Sequence, residues 1–323
     1  MSEKALELKG ATKHFPLRGL AGLGKFVHAM DDVSLSLEKG GSLALVGESG
    51  SGKTTTASVI ARIYEHDSGS LVVDGEEARP FRSRAEALAY KKKVQLIFQD
   101  PFGSLNPTHT IRQILERPFL IHGLVKDRVE LEGKLRELLE LVGLSPAEEY
   151  LRRFPHELSG GQRQRVNIAR TFAVEPEIVL ADEPTSMLDV SIRMGIMNMM
   201  LDLKEKRGVS YLYITHDLAG ARYMCSRIAV MYAGMIMETG PTDEVIQGAC
   251  HPYVKLLKAA SPAPELGLAR GRIANKGEIP SLVEPPSGCR FHPRCPYAKP
   301  ECSAEIPALR EVASGHLVRC ILA

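Results

Sequence analysis

The segment GESGSGKT, residues 47–54, constrains the fold more than any other, and it directly follows the apolar run SLALV. It matches the pattern G-x-x-x-x-G-K-[ST] in full, at a place where a buried strand is expected to lead into a helix. Its glycines leave successive backbone N–H groups uncovered, and the positive N-terminus of the helix faces the same concavity. The sequence therefore predicts a phosphate-binding loop, with candidate ligand residues Gly47, Glu48, Ser49, Gly50, Ser51, Gly52, Lys53, Thr54 and Thr55.

Two carboxylates are predicted to complete this phosphate site. Lys53 supplies a point charge for the β- and γ-phosphates of a nucleotide, and the Thr54 hydroxyl is suited to hold Mg²⁺. Further along, IVLADEPT places Asp182 and Glu183 at the end of an apolar strand, the edge at which open α/β sheets bind ligands. Asp182 suits the Mg²⁺ shell, and Glu183 suits the polarisation of a water that attacks the γ-phosphate. The expected cofactors are ATP and Mg²⁺.

The distribution of apolar residues predicts an α/β fold. Continuous, β-branched runs such as SLALV and EIVLAD are typical of parallel strands covered on both faces, and helical segments lie between several of them. The early segments ALELKG and MDDVSLSLEKG instead alternate apolar and polar residues, as in a half-buried antiparallel sheet. From about residue 108 to residue 157 the apolar residues recur at helical spacing, which predicts a helical insertion.

Composition limits the classes of function. The chain has 323 residues, of which 44% are hydrophobic and 25% charged, which fits one large domain with an appendage. Its net charge is only +2, so no overall basic field recruits nucleic acid or an anionic membrane. The sequence contains no apolar run of signal-peptide type and none of the roughly 18 residues that a membrane span requires. We therefore expect a cytosolic protein, without nucleic acid as a partner.

A second anion site is predicted at LSGGQRQRVNIAR. Ser159 is suited to cap the helix that follows, and Gly160 and Gly161 leave backbone N–H groups uncovered. Gln162 completes the motif and is a further candidate ligand residue. With this segment the chain closely resembles the ATP-binding cassette (ABC) family. One chain has no second phosphate for this site, and in the family two cassettes pack head to tail, so that each signature segment faces the ATP of the other cassette.

The resemblance implies roles for further residues. Gln99 in IFQDP resembles the Q-loop residue that touches Mg²⁺ and the attacking water, and His216 in YITHD resembles the switch histidine that contacts the γ-phosphate. Phe15 in KHFP occupies about the place of the aromatic residue that stacks on adenine, with Phe26 and His28 as alternatives. The implied fold has a RecA-like parallel core, an antiparallel β subdomain and a helical insertion, within an ATP-binding domain over 1–260.

Two stretches, FQDPFGSLNPTHT and HPYVKLLKAASP, narrow the resemblance to the oligopeptide/dipeptide importers. The resemblance implies a second ATPase subunit in a heterodimer, two transmembrane permease subunits and, indirectly, an extracytoplasmic solute-binding protein. It places the chain at the cytoplasmic face of the cell membrane. The cargo in this subfamily is most often a peptide, with oligosaccharides and nickel also known, and the cassette sequence does not identify it.

Two alternatives belong to other classes of protein. A soluble ABC ATPase of DNA repair or translation also has a signature helix, but such proteins usually carry two cassettes or a long coiled coil between phosphate loop and signature. Here only about a hundred residues separate the two motifs, and no basic patch of nucleic-acid type is present. The other alternative is a redox-sensing protein whose C-terminal cysteines are its active part.

The C-terminal region, residues 289–323, contains four of the six cysteines. It follows a Pro- and Gly-rich segment, 261–288, that reads as an extended linker. The cysteines follow the pattern C-x5-C-x6-C and then a longer gap, without the tight C-x2-C pair common in zinc sites. Four loosely spaced thiolates suit a [4Fe-4S] cluster that staples the extension, and the resemblance to the peptide importers implies such ligation; the alternatives are zinc, and cysteines that are unliganded or disulfide-bonded. The candidate ligands are Cys289, Cys295, Cys302 and Cys320. His292 and His316 are alternative ligands, but we expect both at the surface.

Overall fold

The structure, a computed structural model, describes residues 3–17, 24–261 and 279–323. Residues 262–278, which form most of the predicted linker, lie outside the described residues. The chain divides into two compact units: the first combines the residues up to Ala78 with those from Tyr213 onward, and the second is Arg79–Leu212. The domain limits expected from the sequence stay predictions.

Strands and helices alternate along much of the described chain. The strands are β1 (Lys4–Pro16), β2 (Phe26–Glu38), β3 (Ser42–Val46), β4 (Ser68–Val73), β5 (Glu76–Glu77), β6 (Val94–Ile97), β7 (Ile178–Asp182), β8 (Ser210–Thr215), β9 (Arg227–Tyr232), β10 (Met235–Pro241), β11 (Arg310–Ala313) and β12 (His316–Val318). The α-helices are α1 (Lys53–Ile60), α2 (Arg84–Lys93), α3 (Ile111–Ile121), α4 (Arg128–Leu141), α5 (Ala147–Arg152), α6 (Gly160–Phe172), α7 (Val190–Arg207), α8 (Leu218–Met224), α9 (Thr242–Gln247), α10 (Pro252–Ala260) and α11 (Glu301–Ala304). None of these helices is long and apolar enough to cross a membrane.

The first unit contains the antiparallel sheet predicted from the alternating segments. Its strand order is β2-β1-β4-β5, and Leu8 of β1 pairs with Leu35 of β2 on one side and Leu71 of β4 on the other. Leu6 and Leu8 are both buried while Glu7 between them is not, because successive side chains of a strand point to opposite faces. The prediction of a half-buried antiparallel sheet is confirmed.

The phosphate loop belongs to a second sheet of this unit. Within the unit the strands follow the order β11-β12-β10-β9-β3, and β3 pairs with β9 in parallel, with Leu45 opposite Ala229. All five residues of β3 are buried, which confirms the interpretation of SLALV as a parallel strand covered on both faces. The boundary between the two units falls within β8.

The C-terminal extension is built into the first unit. Strand β12 pairs with β10, with Val318 opposite Glu238, and Phe291 is only 1% exposed. The Phe291 ring lies 5.3 Å from that of Tyr232 and 5.4 Å from that of Tyr253, between ring centroids. The extension therefore packs into the core of the first unit.

The second unit combines a parallel strand pair with helices. Strand β6 pairs with β7 in parallel, with Leu96 opposite Leu180. Helices α3, α4 and α5 lie within the range 108–157. Thr110 forms a capping box at the start of α3, where its side chain satisfies an otherwise unpaired N–H group. Ile111 and Leu115 of α3 are fully buried, as are Leu135 and Leu139 of α4, so each helix turns one apolar stripe inward.

Replacing Phe291 with Ala should destabilise the first unit by about 3–5 kcal/mol, because it removes a fully buried aromatic side chain and leaves a cavity. The free energy of unfolding from urea denaturation measures the effect. Tyr297→Ala is the control, since Tyr297 is 58% exposed in the same extension. Equal stability of the two variants would contradict the integrated packing of the extension.

Candidate functional site

The phosphate loop, residues 47–52, connects buried β3 to α1 and closes around a lysine side chain. Lys53 is 5% exposed. Its Nζ donates to the backbone oxygen of Gly47 at 2.8 Å and to that of Glu48 at 2.9 Å. The ammonium group is thus held inside the loop, at the N-terminus of α1, where a phosphate would find both a cation and exposed N–H groups.

Two glycines allow the loop to lie on the strands beneath it. Gly52 has φ +107°, a conformation that side chains disfavour, and a Cβ there would overlap the carbonyl oxygen of Ala29. A Cβ at Gly47 would overlap the carbonyl oxygen of Met231. The glycines of the motif are therefore required for close packing as well as for access to phosphate.

The side chains of the loop fit a phosphate group with its cation. Ser51 is 2% exposed, and its Oγ has no hydrogen-bond partner among the described residues. A buried hydroxyl without a partner is costly, so a phosphate oxygen would satisfy it. Ser49, Gly50 and Thr54 are exposed, which leaves the Thr54 hydroxyl accessible to a Mg²⁺ ion.

The candidate adenine-stacking residue lies near the end of β1. The Phe15 ring meets the Tyr64 ring edge-on, with centroids 5.0 Å apart at 76°. Tyr64 is 45% exposed and is a second aromatic candidate that sequence reasoning missed. Among the alternatives, Phe26 is 46% exposed, whereas His28 lies with its Nδ1 3.2 Å from Asp31.

His216 follows β8 directly and its side chain is exposed. The next residue, Asp217, caps α8 by accepting hydrogen bonds from the N–H groups of Ala219 and Gly220 at 2.9 and 3.1 Å. The cap fixes where the strand ends and the helix begins, and so determines where the histidine leaves the strand.

In the second unit, two predicted catalytic residues, Gln99 and Glu183, are hydrogen-bonded to each other. Asp182, the last residue of β7, is 4% exposed. Glu183 follows it with φ +45°, an uncommon conformation for a non-glycine residue, of the kind found at functional sites. The Gln99 amide Nε2 donates to Glu183 Oε2 at 3.2 Å. The Q-loop candidate thus holds the carboxylate predicted to act on water.

The signature segment of the second unit is capped as predicted. Ser159 Oγ accepts from the N–H of Gln162 at 3.3 Å, and Gln162 Oε1 accepts from the N–H of Ser159 at 3.0 Å. A Cβ at Gly161 would lie 2.6 Å from the Ile192 side chain, and one at Gly160 would lie 3.6 Å from that of Leu188. The start of α6 therefore packs closely against the first turn of α7 and the residues just before it.

The four C-terminal cysteines of the first unit line one cavity, together with His251 and His292. None of the four forms a disulfide. The N–H of Cys289 donates to the Cys302 carbonyl at 2.8 Å, and the sulfurs of Cys302 and Cys320 accept from the backbone N–H groups of Lys299 and Leu322, each at 3.4 Å. The sulfur-rich donor set fits a metal that prefers thiolate.

Burial controls the ionisation of the cysteine and histidine side chains that line this cavity. It raises the pKa of Cys289 to about 11, and the neighbouring sulfurs add to the effect. Burial also raises the pKa of Cys295 and lowers that of His251 to about 3. The two thiols are therefore protonated at neutral pH, and a metal would have to displace their protons on binding.

In two other groups of candidate metal ligands the ligand atoms lie close together, but their side chains already contact other groups of the protein. In the first, Asp31 contacts His14, His28 and Arg290. The second is centred on fully buried Glu238.

Glu238 Oε1 lies 2.8 Å from His316 Nε2 and accepts from the N–H of Cys250 at 3.0 Å, while Oε2 accepts from the N–H of His251 at 2.7 Å. The expectation that His316 lies at the surface was wrong, because the pairing of β12 with β10 carries it into the core, where it is 5% exposed. His292 is half-buried, with Nδ1 2.9 Å from the Cys289 carbonyl oxygen.

Two sequence families match the chain. Residues 30–186 match the family described as ABC transporter, and residues 237–302 match the one described as the C-terminal region of oligopeptide/dipeptide transporters. The second match includes Cys289, Cys295 and Cys302. It favours a transporter subunit over the alternative of a soluble ABC ATPase of DNA repair or translation.

Curated relatives resemble the chain over nearly its whole length. The oligopeptide transport ATP-binding protein AppF of Bacillus subtilis (strain 168) is 42% identical over 324 residues, which cover 99% of this chain and 98% of the relative. The oligopeptide transport ATP-binding protein OppF of the same organism is 42% identical over 321 residues, covering 99% and 97%.

Solved structures confirm the cassette fold. The dimeric post-hydrolysis state of the ATP-binding cassette MJ0796, bound to ADP and Pi, matches with a TM-score of 0.65 and 28% identity, covering 73% of this chain and 98% of that one. CbiO1 from Clostridium perfringens matches in fold, with a TM-score of 0.64 and 23% identity over 76% of this chain and 92% of that one. The chain therefore belongs to the ATP-hydrolysing ABC transporter proteins, in the oligopeptide/dipeptide transporter family.

Proposed function

We propose that this chain is the ATPase subunit that powers a peptide importer at the cytoplasmic face of the cell membrane. The observation that carries the proposal is its similarity to oligopeptide transport ATP-binding proteins over 99% of its length, including the C-terminal region. The phosphate loop supports it further, because its buried lysine and its Ser51 hydroxyl, which has no partner in the described part of the chain, suit a bound nucleotide.

In this proposal ATP and Mg²⁺ are held by the residues that the sequence motifs identify. The Lys53 ammonium group binds the β- and γ-phosphates, while the N–H groups of the loop and the Ser51 hydroxyl bind phosphate oxygens. Thr54, Gln99 and Asp182 hold the Mg²⁺ ion, and Phe15 stacks on the adenine.

Hydrolysis requires a base beside the γ-phosphate. Glu183 polarises the attacking water, and the Gln99 amide, which donates to its carboxylate at 3.2 Å, orients that carboxylate. His216, exposed at the end of β8, contacts the γ-phosphate. Bound ATP supplies the phosphoanhydride bond that is broken, and Mg²⁺ supplies positive charge for the transition state.

The site is completed by a second ATPase subunit, and we propose that the pair is a heterodimer. Ser159, Gly160, Gly161 and Gln162 present the capped N-terminus of α6 to the ATP of that partner. Exposed apolar side chains lie beside this segment: Met187 is 53%, Val190 75% and Ile192 37% exposed. Such a patch is suited to a protein interface.

ATP-driven closure of this pair moves two transmembrane permease subunits. An extracytoplasmic solute-binding protein delivers the cargo to them. The proposed cargo is a peptide, as the names of the relatives suggest. Oligosaccharides or nickel are the alternatives to be compared in transport assays.

We also propose that Cys289, Cys295, Cys302 and Cys320 bind a [4Fe-4S] cluster. The proposal rests on their shared cavity and on backbone N–H groups that point at two of the sulfurs. Zinc is the alternative.

Glu183→Gln should abolish turnover while retaining ATP binding. The amide cannot accept a proton from water, so kcat for ATP hydrolysis should fall by at least about 100-fold, as measured by phosphate release from the assembled transporter. Glu205→Gln, an exposed change on α7, is the matched control. Full activity of Glu183→Gln would remove Glu183 from the role of base.

The same Glu183→Gln chain tests whether the ATP-bound dimer requires a second, different ATPase subunit. Saturated with Mg²⁺ and ATP, it should stay monomeric alone and elute as a dimer on size-exclusion chromatography when the second ATPase subunit of the same transporter is added. Dimerisation of the chain by itself would instead support a homodimer. Failure to pair under both conditions would contradict ATP-driven closure.

Protein purified without oxygen should contain about four iron atoms per chain and absorb visible light by sulfur-to-iron charge transfer. Replacing Cys295 and Cys302 with Ser should remove both signals, whereas replacing Cys225 with Ser should not, because Cys225 lies outside the cysteine cavity. One zinc per chain would support the alternative, and stable protein without either metal would refute a metal site.

A further inference from the structure

The phosphate loop is held from outside by a residue of the C-terminal extension. Glu48, its second residue, points its carboxylate at Arg294: Nη1 donates to Oε2 at 2.9 Å and Nη2 donates to Oε1 at 3.2 Å. This is the parallel, two-bond arrangement in which a guanidinium group binds a carboxylate most strongly. The two residues are 246 positions apart in the chain.

The pair is largely shielded from water. The Arg294 side chain is 5% exposed and that of Glu48 is 23% exposed. Arg294 Nη1 also donates to the Tyr232 hydroxyl at 3.2 Å, and the guanidinium lies 5.6 Å from the centre of the Tyr232 ring and 5.8 Å from that of Phe291. Removing either partner would leave the other charge poorly compensated in a dry environment.

The backbone of Glu48 connects this pair to the lysine of the motif. Its carbonyl oxygen accepts from Lys53 Nζ at 2.9 Å, and its N–H donates to the hydroxyl of Tyr253 at 2.9 Å. The Tyr253 ring in turn packs against Phe291 of the extension. A shift of the Glu48 side chain would therefore move the carbonyl group against which the phosphate-binding lysine rests.

Two other arginines attach the extension through hydrogen-bond partners that lie outside the phosphate loop. Arg290 donates to Asp31 and to the Ala233 carbonyl oxygen. Arg319 donates to Asp32 Oδ2 at 2.9 Å and to the carbonyl oxygen of Ile236 at 3.0 Å. Different side chains therefore attach the extension and contact the loop. Substituting them one at a time separates the two effects.

We propose that Arg294 is a positioning residue for ATP binding, which holds Glu48 and thereby the phosphate loop in the conformation that receives the nucleotide. The inference rests on the proposed ATP binding at this loop. It makes the cysteine-rich extension a determinant of nucleotide affinity: Arg294 lies between Cys289 and Cys295, directly before Cys295. The extension acts on the reaction through the loop and does not touch the nucleotide.

The test compares Arg294→Gln with Arg319→Gln, the same substitution at two buried arginines of one extension, each paired with a carboxylate. Affinity is measured with a fluorescent ATP analogue and Mg²⁺ on the full chain, and thermal unfolding is followed in parallel. Arg294→Gln should weaken binding by about tenfold, whereas Arg319→Gln should lower the unfolding temperature without changing affinity. In the assembled transporter, Arg294→Gln should raise KM and leave kcat within about twofold.

Three further variants separate positioning from a general loss of structure. Arg294→Lys keeps the charge but not the two-bond fork, so its affinity should lie between those of the wild type and Arg294→Gln. Glu48→Gln should weaken binding as Arg294→Gln does, and the double variant should lose no more than the worse single variant, because both remove one interaction. If Arg294→Gln does not fold, the nucleotide affinity of Glu48→Gln, measured together with its thermal unfolding, tests the inference instead.

Equal affinities of wild type, Arg294→Gln and Glu48→Gln would overturn the inference while the proposed function stands. A matching loss of affinity in Arg319→Gln would also overturn it, since the effect would then be one of stability. A wild-type chain that does not bind the nucleotide analogue would instead overturn the proposed function itself.

Discussion

The close seating of the phosphate loop on the backbone beneath it is the constraint on which the nucleotide-binding unit depends. The loop crosses the carbonyl groups of Ala29 and Met231 at a distance that leaves no room for a Cβ at Gly52 or Gly47. Because the loop cannot move inward, α1 begins at a defined place and Lys53 stands inside the curve of the backbone. A loop with larger side chains would lie higher and lose the concavity that suits a phosphate group.

Buried charged side chains are a second constraint on the structure of this unit. A charge removed from water is costly unless it is paired and hydrogen-bonded. Arginines of the extension satisfy this requirement with carboxylates of the N-terminal region, in the pairs Arg290–Asp31, Arg294–Glu48 and Arg319–Asp32. Glu238 is fully buried and meets it with His316 and two backbone N–H groups. Such contacts favour one placement of the extension, because any other would leave a charge without its partner.

In the second unit, hydrogen bonds between neighbouring residues orient the groups of the candidate site. The capping box of Ser159 and Gln162 defines the first turn of α6 and leaves Gly160 and Gly161 without side chains in front of their N–H groups. Gln99 holds Glu183, whose backbone adopts φ +45° at the end of β7. The groups proposed to act on the nucleotide are thus oriented by their neighbours, which lowers the cost of organising them during the reaction.

The sequence by itself determined the α/β class, the two kinds of sheet and the motif-bearing loops. Each of these depends on residues that are close in the chain: a glycine-rich run, a strand with two acids at its end, a serine before a helix. Only the tertiary structure decided the partners of the extension. The Arg294–Glu48 contact and the pairing of β12 with β10 join residues 246 and about 80 positions apart, and no local pattern encodes such a contact. For the same reason His316, polar and expected at the surface, lies in the core, because its place is set by the strand with which it pairs and not by its own polarity.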